Sequence, residues 1–121
     1  MHLASKDQYI QRATNSKVYL TSTGVTTFYT APTGGDFDFA VIESIIACNN
    51  NASQTTINLT LTDTSSNVFS LYDGFVMAAD TTHELLNKNL VLTAGEILKI
   101  TAADANRIYA VASIVEYGKG D

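Results

Sequence analysis

The sequence has little of the material from which most binding and catalytic sites are built. Its 121 residues include one cysteine, one proline, no tryptophan, and seven Lys and Arg side chains against twelve Asp and Glu. With a net charge of −5 it cannot form a large basic face, so we expect no binding to nucleic acid or to a membrane surface. The lone Cys48 excludes an internal disulfide framework and a cysteine-based zinc site, and it fits synthesis in a reducing cytoplasm.

Long hydrophobic runs are also missing. No apolar stretch reaches the ~20 residues that a transmembrane helix needs. Residues 1–15 lack the apolar core of a signal peptide, because Leu3, Tyr9 and Ile10 are scattered among polar residues, so we expect no Sec-type secretion. The length fits one domain with a short appended arm, and such a domain buries enough surface to fold without disulfides or metal.

The sequence does contain clear alternation of apolar and polar residues, with threonine, asparagine and serine on the polar positions. This period of two is typical of half-buried strands. The segment 56–62 is the clearest case and predicts Ile57, Leu59 and Leu61 inward, with Thr56, Asn58, Thr60 and Thr62 outward.

Turn clusters rich in Gly, Asn, Asp and Pro separate these segments at regular intervals, which predicts an all-β fold. We expect an antiparallel β-sandwich, jelly-roll or immunoglobulin-like, over residues 17–121, with an N-terminal arm over 1–16. The predicted strands number about eight to nine and cover 17–21, 25–30, 38–48, 55–62, 67–72, 74–78, 89–92, 96–101 and 107–117. Residues 22–24 are predicted to turn a hairpin between the first two strands. The segment 80–86 is either a helical turn with Thr81 and Glu84 at capping-box spacing, or an irregular strand.

Two segments, 37–48 and 108–117, are apolar on both faces. This pattern indicates either the middle strands of their sheets or strands with one face against another chain. Residues 1–16 have no self-burying pattern, so they are either a frayed terminus or an arm that orders on a neighbouring subunit.

No constellation of residues indicates catalysis, a cofactor or a metal. His83 is the only histidine in the body of the domain, no Ser lies in a nucleophile motif, and we interpret His83 as a loop or surface residue. Asp36 and Asp38 could bind a metal but follow two glycines, which favours a solvated loop. The segment 63–67 lacks the glycine and the glutamate of a calcium loop, and no phosphate-binding glycine motif occurs.

The aromatic side chains are too many for the core of so small a sandwich, and tyrosine is enriched at protein interfaces. We therefore predict that some of them lie on a contact surface. The candidate interface residues are Leu3, Tyr9, Ile10, Tyr19, Tyr29 and Tyr109.

Several segments carry a resemblance to a known group of proteins. They are YTAPTGG at 29–35, VIESIIACNN at 41–50, TTINLTLTD at 55–63 and NLVLTAGEILKITAADANRIYAVASIVEY at 89–117. In its order of strands and turns over residues 17–117, the chain resembles the small β-sandwich structural proteins of tailed-bacteriophage virions. The resemblance lies in the order of strands and turns, and it includes no specific sequence motif.

The resemblance implies a structural role in the virion and no enzymatic activity. The function that it favours is capsid decoration, in which a cement protein clamps neighbouring subunits of the shell. Its partners would be the major capsid protein or other virion subunits, and copies of the chain itself, with a trimer favoured. The alternative is a tail, baseplate or fibre component with a host-surface or carbohydrate-binding module.

Overall fold

The computed structural model describes residues 9–119, and within this range the chain forms nine strands and no helix. Their bounds are β1 Ile10–Tyr19, β2 Thr26–Thr30, β3 Phe39–Asn49, β4 Thr55–Thr62, β5 Val68–Met77, β6 Thr81–Glu84, β7 Leu90–Leu92, β8 Ile97–Ala102 and β9 Ile108–Gly118.

The strands pair in a nested order. The first pairs with the last (β1 with β9), then β2 with β8, β3 with β6 and β7, and β4 with β5, and every pair is antiparallel. The nested ribbon is rolled into two sheets, a five-stranded one ordered β1-β9-β3-β6 with β7 also on β3, and a four-stranded one ordered β2-β8-β4-β5. This is the strand order of a jelly roll. The predicted all-β antiparallel sandwich is therefore confirmed in its jelly-roll form.

The core lies between the sheets and is made by alternate residues of the central strands. In β9 every second residue from Ile108 to Gly118 is buried, and the intervening residues point away from the core. In β3 the same alternation is interrupted by a bulge at Glu43, between Ile42 and Ser44. Both segments predicted as middle strands are central, and they are neighbours in one sheet.

The register predicted for β4 is largely confirmed. Ile57 and Leu59 are fully buried, and Leu61 is half-buried against the same core. Asn58 is exposed on the opposite face, as predicted. Thr62 departs from the prediction, because it is buried at the strand end and its hydroxyl has no hydrogen-bond partner among the described residues.

The predicted hairpin at 22–24 is wrong. β1 belongs to the five-stranded sheet and β2 to the four-stranded sheet, so the connection between them crosses the edge of the sandwich. Leu20 fixes this crossing, because its side chain is buried and its backbone bonds to Ile108 and Asn106. A short polar loop with a glycine serves equally for a hairpin and for a corner between sheets, and local sequence does not distinguish them.

The arm predicted over residues 1–16 needs correction. Residues from Ile10 to Ser16 form the first part of β1 and pair in unbroken register with β9, so they belong to the sandwich. Residues 1–8 lie outside the described range. The prediction failed because β1 is an edge strand whose inward positions include the polar residues Arg12, Thr14 and Ser16, so its sequence shows no apolar period of two.

Two further boundaries differ from expectation. The segments predicted as separate strands at 67–72 and 74–78 form the single strand β5. Gly74 (φ 72°) lies within this strand, and the pairing of β5 with β4 is irregular around it. The segment 80–86 is not a helical turn, because Thr81–Glu84 pairs with β3 as strand β6.

Replacing Leu59 with alanine should lower the free energy of unfolding by about 2–5 kcal/mol, because the packed sheets cannot close around the cavity. Thr60→Ala is the matched control on the opposite face of the same strand and should change it by less than about 0.5 kcal/mol. Chemical denaturation followed by circular dichroism measures both. Equal stability of the two variants would contradict the register of β4.

Candidate interaction surface

The outward side of the five-stranded sheet, which we call the outer face, is built from side chains that lie opposite one another across the strands. Opposed residues in a sheet share a face, so the pairing register gives the rows directly. The rows are Tyr19, Tyr109, Cys48 and Thr82; Lys17, Val111, Ile46 and Glu84; Asn15, Ser113 and Ser44; Ala13, Val115, Val41 and Val91; and Gln11, Tyr117 and Phe39.

Most of these rows are apolar although they face away from the core. The five large side chains Tyr19, Tyr109, Ile46, Val111 and Val91 are 40% to 53% exposed. Two pairs of rings stack across the strands: Tyr19 on Tyr109 at 4.3 Å and Phe39 on Tyr117 at 5.2 Å between centroids. Exposed apolar area of this extent is typical of a contact surface.

The outward side of the four-stranded sheet has a different composition. Its central row is Thr27, Lys99, Thr60 and Ser70, and the next contains Thr101 and Asn58. These hydroxyl, amide and ammonium groups are suited to water, whereas the outer face of the five-stranded sheet is not. The middle rows of this sheet are therefore polar, whereas its edge strand β5 exposes Val68, Phe69, Leu71 and Val76.

The charged ends of the rows lie at two edges of the outer face, and Glu43 is also exposed, at the bulge of the central strand β3. Lys17 is on β1, and Glu84 is at the far end of the same row on β6, with Val111 and Ile46 between them. The Glu84 carboxylate accepts hydrogen bonds from the Ser44 hydroxyl and the Ile45 amide. Burial alone would raise the pKa of Glu84, but these hydrogen bonds outweigh it and hold the pKa below its ordinary value.

The predicted interface residues lie in different environments. Tyr19 and Tyr109 lie together on the outer face, and Tyr9 is two-thirds exposed just before β1. Ile10 is half-buried at the start of β1, opposite Gly118. Leu3 lies outside the described residues.

Tyr29 is part of a polar cluster that joins the two sheets. Its hydroxyl donates a hydrogen bond of 2.5 Å to Oε2 of Glu116, and the guanidinium of Arg12 donates two to Oε1. The guanidinium also lies 4.3 Å from the centre of the Phe37 ring. Arg12 and Glu116 are on β1 and β9, and Tyr29 is on β2, so this cluster fastens the edge strand β1 to the opposite sheet.

The environment of this cluster sets the ionisation of its members. Burial would raise the pKa of Glu116, but the hydrogen bonds from Tyr29 and Arg12, and the charge of Arg12, lower it below its ordinary value. Burial and the neighbouring carboxylate raise the pKa of Tyr29. The cluster is thus a neutral phenol, a carboxylate and a guanidinium at neutral pH.

The residues examined for catalysis have structural positions. His83 lies in β6 opposite Ala47, and its ring meets the edge of Phe75 at 5.2 Å, so the interpretation as a loop or surface residue is corrected. Asp36 is in a tight turn closed by the Gly34 amide and the Phe37 carbonyl. Across residues 9–119 no three His, Cys, Asp or Glu side chains form a group able to hold a metal.

One small cleft lies on the four-stranded side of the sandwich. It has a volume of about 150 Å³ and is lined by Thr23, Thr56, Asn58, Thr101, Ala102 and Ala103. The exposed Tyr19 and Tyr109 pair, which could stack on a sugar ring, is on the other broad side of the sandwich. In the part of the chain that the structure describes, no helix has the length and hydropathy to span a membrane.

Several residues of the outer face were not predicted individually. Val111, Ile46 and Val91 are aliphatic and lie in segments that sequence alone assigns to the core. The available signal was the apolar character of both faces of β3 and β9, which predicted either a central strand or a contact with another chain. The first interpretation is confirmed, since both strands are central. Contact of their outward side chains with another chain stays a prediction.

No protein-family model matches the sequence, and no curated protein sequence matches it. The fold does match solved structures. A structure of Bacillus endospore appendages, which form disulfide-linked pili, aligns with 100% of this chain and 98% of its own at 7% identity and a TM-score of 0.56. At this identity the likeness establishes a shared sandwich fold.

Two viral structures align less closely. Infectious bursal disease virus, Gx strain, matches over 96% of this chain at 10% identity and a TM-score of 0.49, and this chain spans 38% of that protein. The virus-like particle of the extra small virus of the giant freshwater prawn Macrobrachium rosenbergii matches over 93% of this chain and 80% of its own, at 14% identity and a TM-score of 0.43.

Glu116→Gln should lower the free energy of unfolding at pH 7 by about 1.5–3 kcal/mol, because charged hydrogen bonds to Arg12 and Tyr29 are weakened. A carboxylate whose pKa is lowered by folding stabilises the fold above its unfolded pKa, and this contribution is lost as the pH falls through the folded pKa. The difference between parent and variant should therefore shrink below about pH 4.

The measurement is urea denaturation of both proteins between neutral and acidic pH. Glu43→Gln is the control, because Glu43 is exposed and makes none of these contacts. A difference that stays constant across the pH range would contradict an ionised Glu116 in the cluster.

Proposed function

We propose that this chain is a non-enzymatic structural subunit of a virion, and that it decorates the capsid of a tailed bacteriophage. The observation that carries the proposal is the apolar outer face of the five-stranded sheet. A freely diffusing domain would expose this face to water, whereas a subunit of an assembly buries it against a neighbour.

The fold supports an assembly role. The jelly roll provides two rigid broad sides, and the endospore appendages that share the sandwich fold form disulfide-linked pili. The tailed-phage part of the proposal comes from the resemblance of the strand and turn segments. In this proposal the partners are the major capsid protein or other virion subunits, together with further copies of the chain.

The mechanism is mechanical. Burial of apolar area contributes about 25 cal/mol per Å² before the cost of association, whereas an exposed ion pair contributes about 0–1 kcal/mol and is screened by salt. The rows of the outer face are apolar at most central positions and carry a charge at each of two edges, with Glu43 exposed at the bulge of β3. Contact through this face, with a shell subunit or with a further copy of the chain, would therefore rest mainly on apolar burial.

The direct test is to purify particles and ask whether this chain copurifies with them, and where its density lies. Density on the shell that fits the jelly roll would support decoration. Density on a tail or fibre would contradict decoration and support the alternative of a tail or fibre component. Absence of the chain from intact particles would contradict a virion function.

Occupancy on particles should survive a shift from about 0.1 M to about 1 M salt, because salt does not screen apolar burial. Particles are pelleted at several salt concentrations, and this chain is quantified against the major shell protein. The shell protein in the pellet is the internal control for particle integrity. Stepwise loss of the chain from intact particles would show that the attachment is electrostatic.

A further inference from the structure

The arrangement of the outer face indicates a particular kind of partner. The central positions of the rows, on β9 and β3, are apolar in four of the five rows, and in the fifth they are Ser113 and Ser44. The row with Val111 carries its charges only at the ends, on Lys17 and Glu84. A surface that presents its own rows to those of an identical surface would match apolar with apolar at these central positions.

The two edge charges distinguish between the possible symmetric arrangements. An isologous contact between two broad sides places the two-fold axis in the plane between them. An axis parallel to the strands maps each row onto itself in reverse, so that Lys17 of one copy lies over Glu84 of the other at both ends of the row. An axis along the row instead keeps β1 over β1 and leaves Lys17 without an acid.

From this we propose that the outer face binds the outer face of a second copy of this chain, about a two-fold axis that runs parallel to the strands between β9 and β3. Val111 of one copy then packs on Ile46 of the other, Tyr109 packs on Cys48, and the Lys17–Glu84 pair forms twice. The inference rests on the proposed function only in treating the outer face as a contact surface.

The size of the face agrees with this partner. Four strands at ~4.8 Å spacing and the residues from Gln11 to Tyr19 at ~3.4 Å each give a patch of roughly 20 by 27 Å. With the relief of its side chains, such a patch approaches the ~800 Å² per partner that stable interfaces bury. A two-fold pair covers the outer face of both copies and leaves the two four-stranded sheets, with the exposed apolar residues of β5, free for other partners.

Within one chain Lys17 and Glu84 are three strand spacings apart, roughly 14 Å, so their direct interaction is weak. A coupling between the two residues in dimer affinity would therefore come from contact between copies. This makes a pair of variants at these positions diagnostic of the proposed axis.

The experiment is sedimentation velocity of the purified full-length chain over a concentration series at low salt, with no particles present. The parent should form a dimer. Lys17→Glu should weaken the dimer on the order of ten-fold, because the introduced carboxylate then faces Glu84 of the second copy at both ends of the row. Lys99→Glu, the same charge change on the four-stranded sheet, is the control and should leave the dissociation constant unchanged.

Glu84→Gln provides the decisive second variant, because glutamine can still accept hydrogen bonds from the backbone amides of Ile45 and Leu86. Alone it should weaken the dimer, since it removes the attraction to Lys17 of the second copy. Combined with Lys17→Glu, it should strengthen the dimer relative to Lys17→Glu alone, since it removes the repulsion between the introduced carboxylate and Glu84 of the second copy. Circular dichroism checks that each variant is folded.

Several outcomes would overturn the proposal. They are a monomer at all concentrations, a closed trimer, or a dimer in which Glu84→Gln has the same effect in both backgrounds. A folded Val111→Arg variant that remains dimeric would also exclude the outer face. If the chain is monomeric alone but Val111→Arg loses particle occupancy, then the second copy is excluded while the proposed function stands.

Discussion

The pairing of β9 with both β1 and β3 is the constraint on which the rest of the structure depends. β9 places Ile108, Ala110, Ala112 and Ile114 in the core, and the residues between them on the outer face. Because the side-chain period of a strand is two, a slip of one residue would exchange these two sets. The register that builds the core is therefore the register that builds the apolar surface, and neither can change alone.

The two broad sides of the sandwich differ in composition. The middle rows of the four-stranded sheet keep threonine, asparagine and lysine toward water, with apolar exposure at its edge strand β5, whereas the five-stranded sheet exposes stacked tyrosines and aliphatic side chains across its centre. The cluster of Arg12, Glu116 and Tyr29 holds the edge strand β1 against the opposite sheet. It thereby fixes one border of the outer face, including the position of Lys17, and gives that face a defined shape.

The sequence predicted the strands whose alternate residues are buried, because burial produces a period of two. It did not predict which strands are paired, because the topology of the sheets decides that. The segment 56–62 predicted its own orientation at Leu59, and the both-sided apolar character of 108–117 predicted a central strand. The loop at 22–24 could not be assigned, because a corner between sheets and a hairpin use the same residues. β1 was partly missed, since several of its inward positions, among them Thr14 and Ser16, are polar and leave no apolar alternation.

The residues of the outer face could likewise be predicted only in part. Tyr19 and Tyr109 were predicted as interface residues because tyrosine is enriched at protein contacts, and both lie on the outer face. Tyr29 was predicted on the same ground and is instead half-buried beside Glu116. Val111 and Ile46 could not be told from core residues, because only the register shows which side of the sheet they occupy. Glu84 lies on the outer face because strand β6 pairs with β3. The sequence did not decide whether this segment is a helical turn or an irregular strand.

The central claim is that the outer face is buried when the protein is assembled. Cys48 lies in the same row as Tyr19 and Tyr109, and it is the chain's only cysteine, so its thiol reports on the face without any mutation. The measurement is the rate at which a maleimide alkylates Cys48 in the dilute purified chain and in intact particles, with the modified peptide quantified by mass spectrometry. The account predicts a rate at least about ten-fold lower in particles. Equal rates in the two states would contradict it.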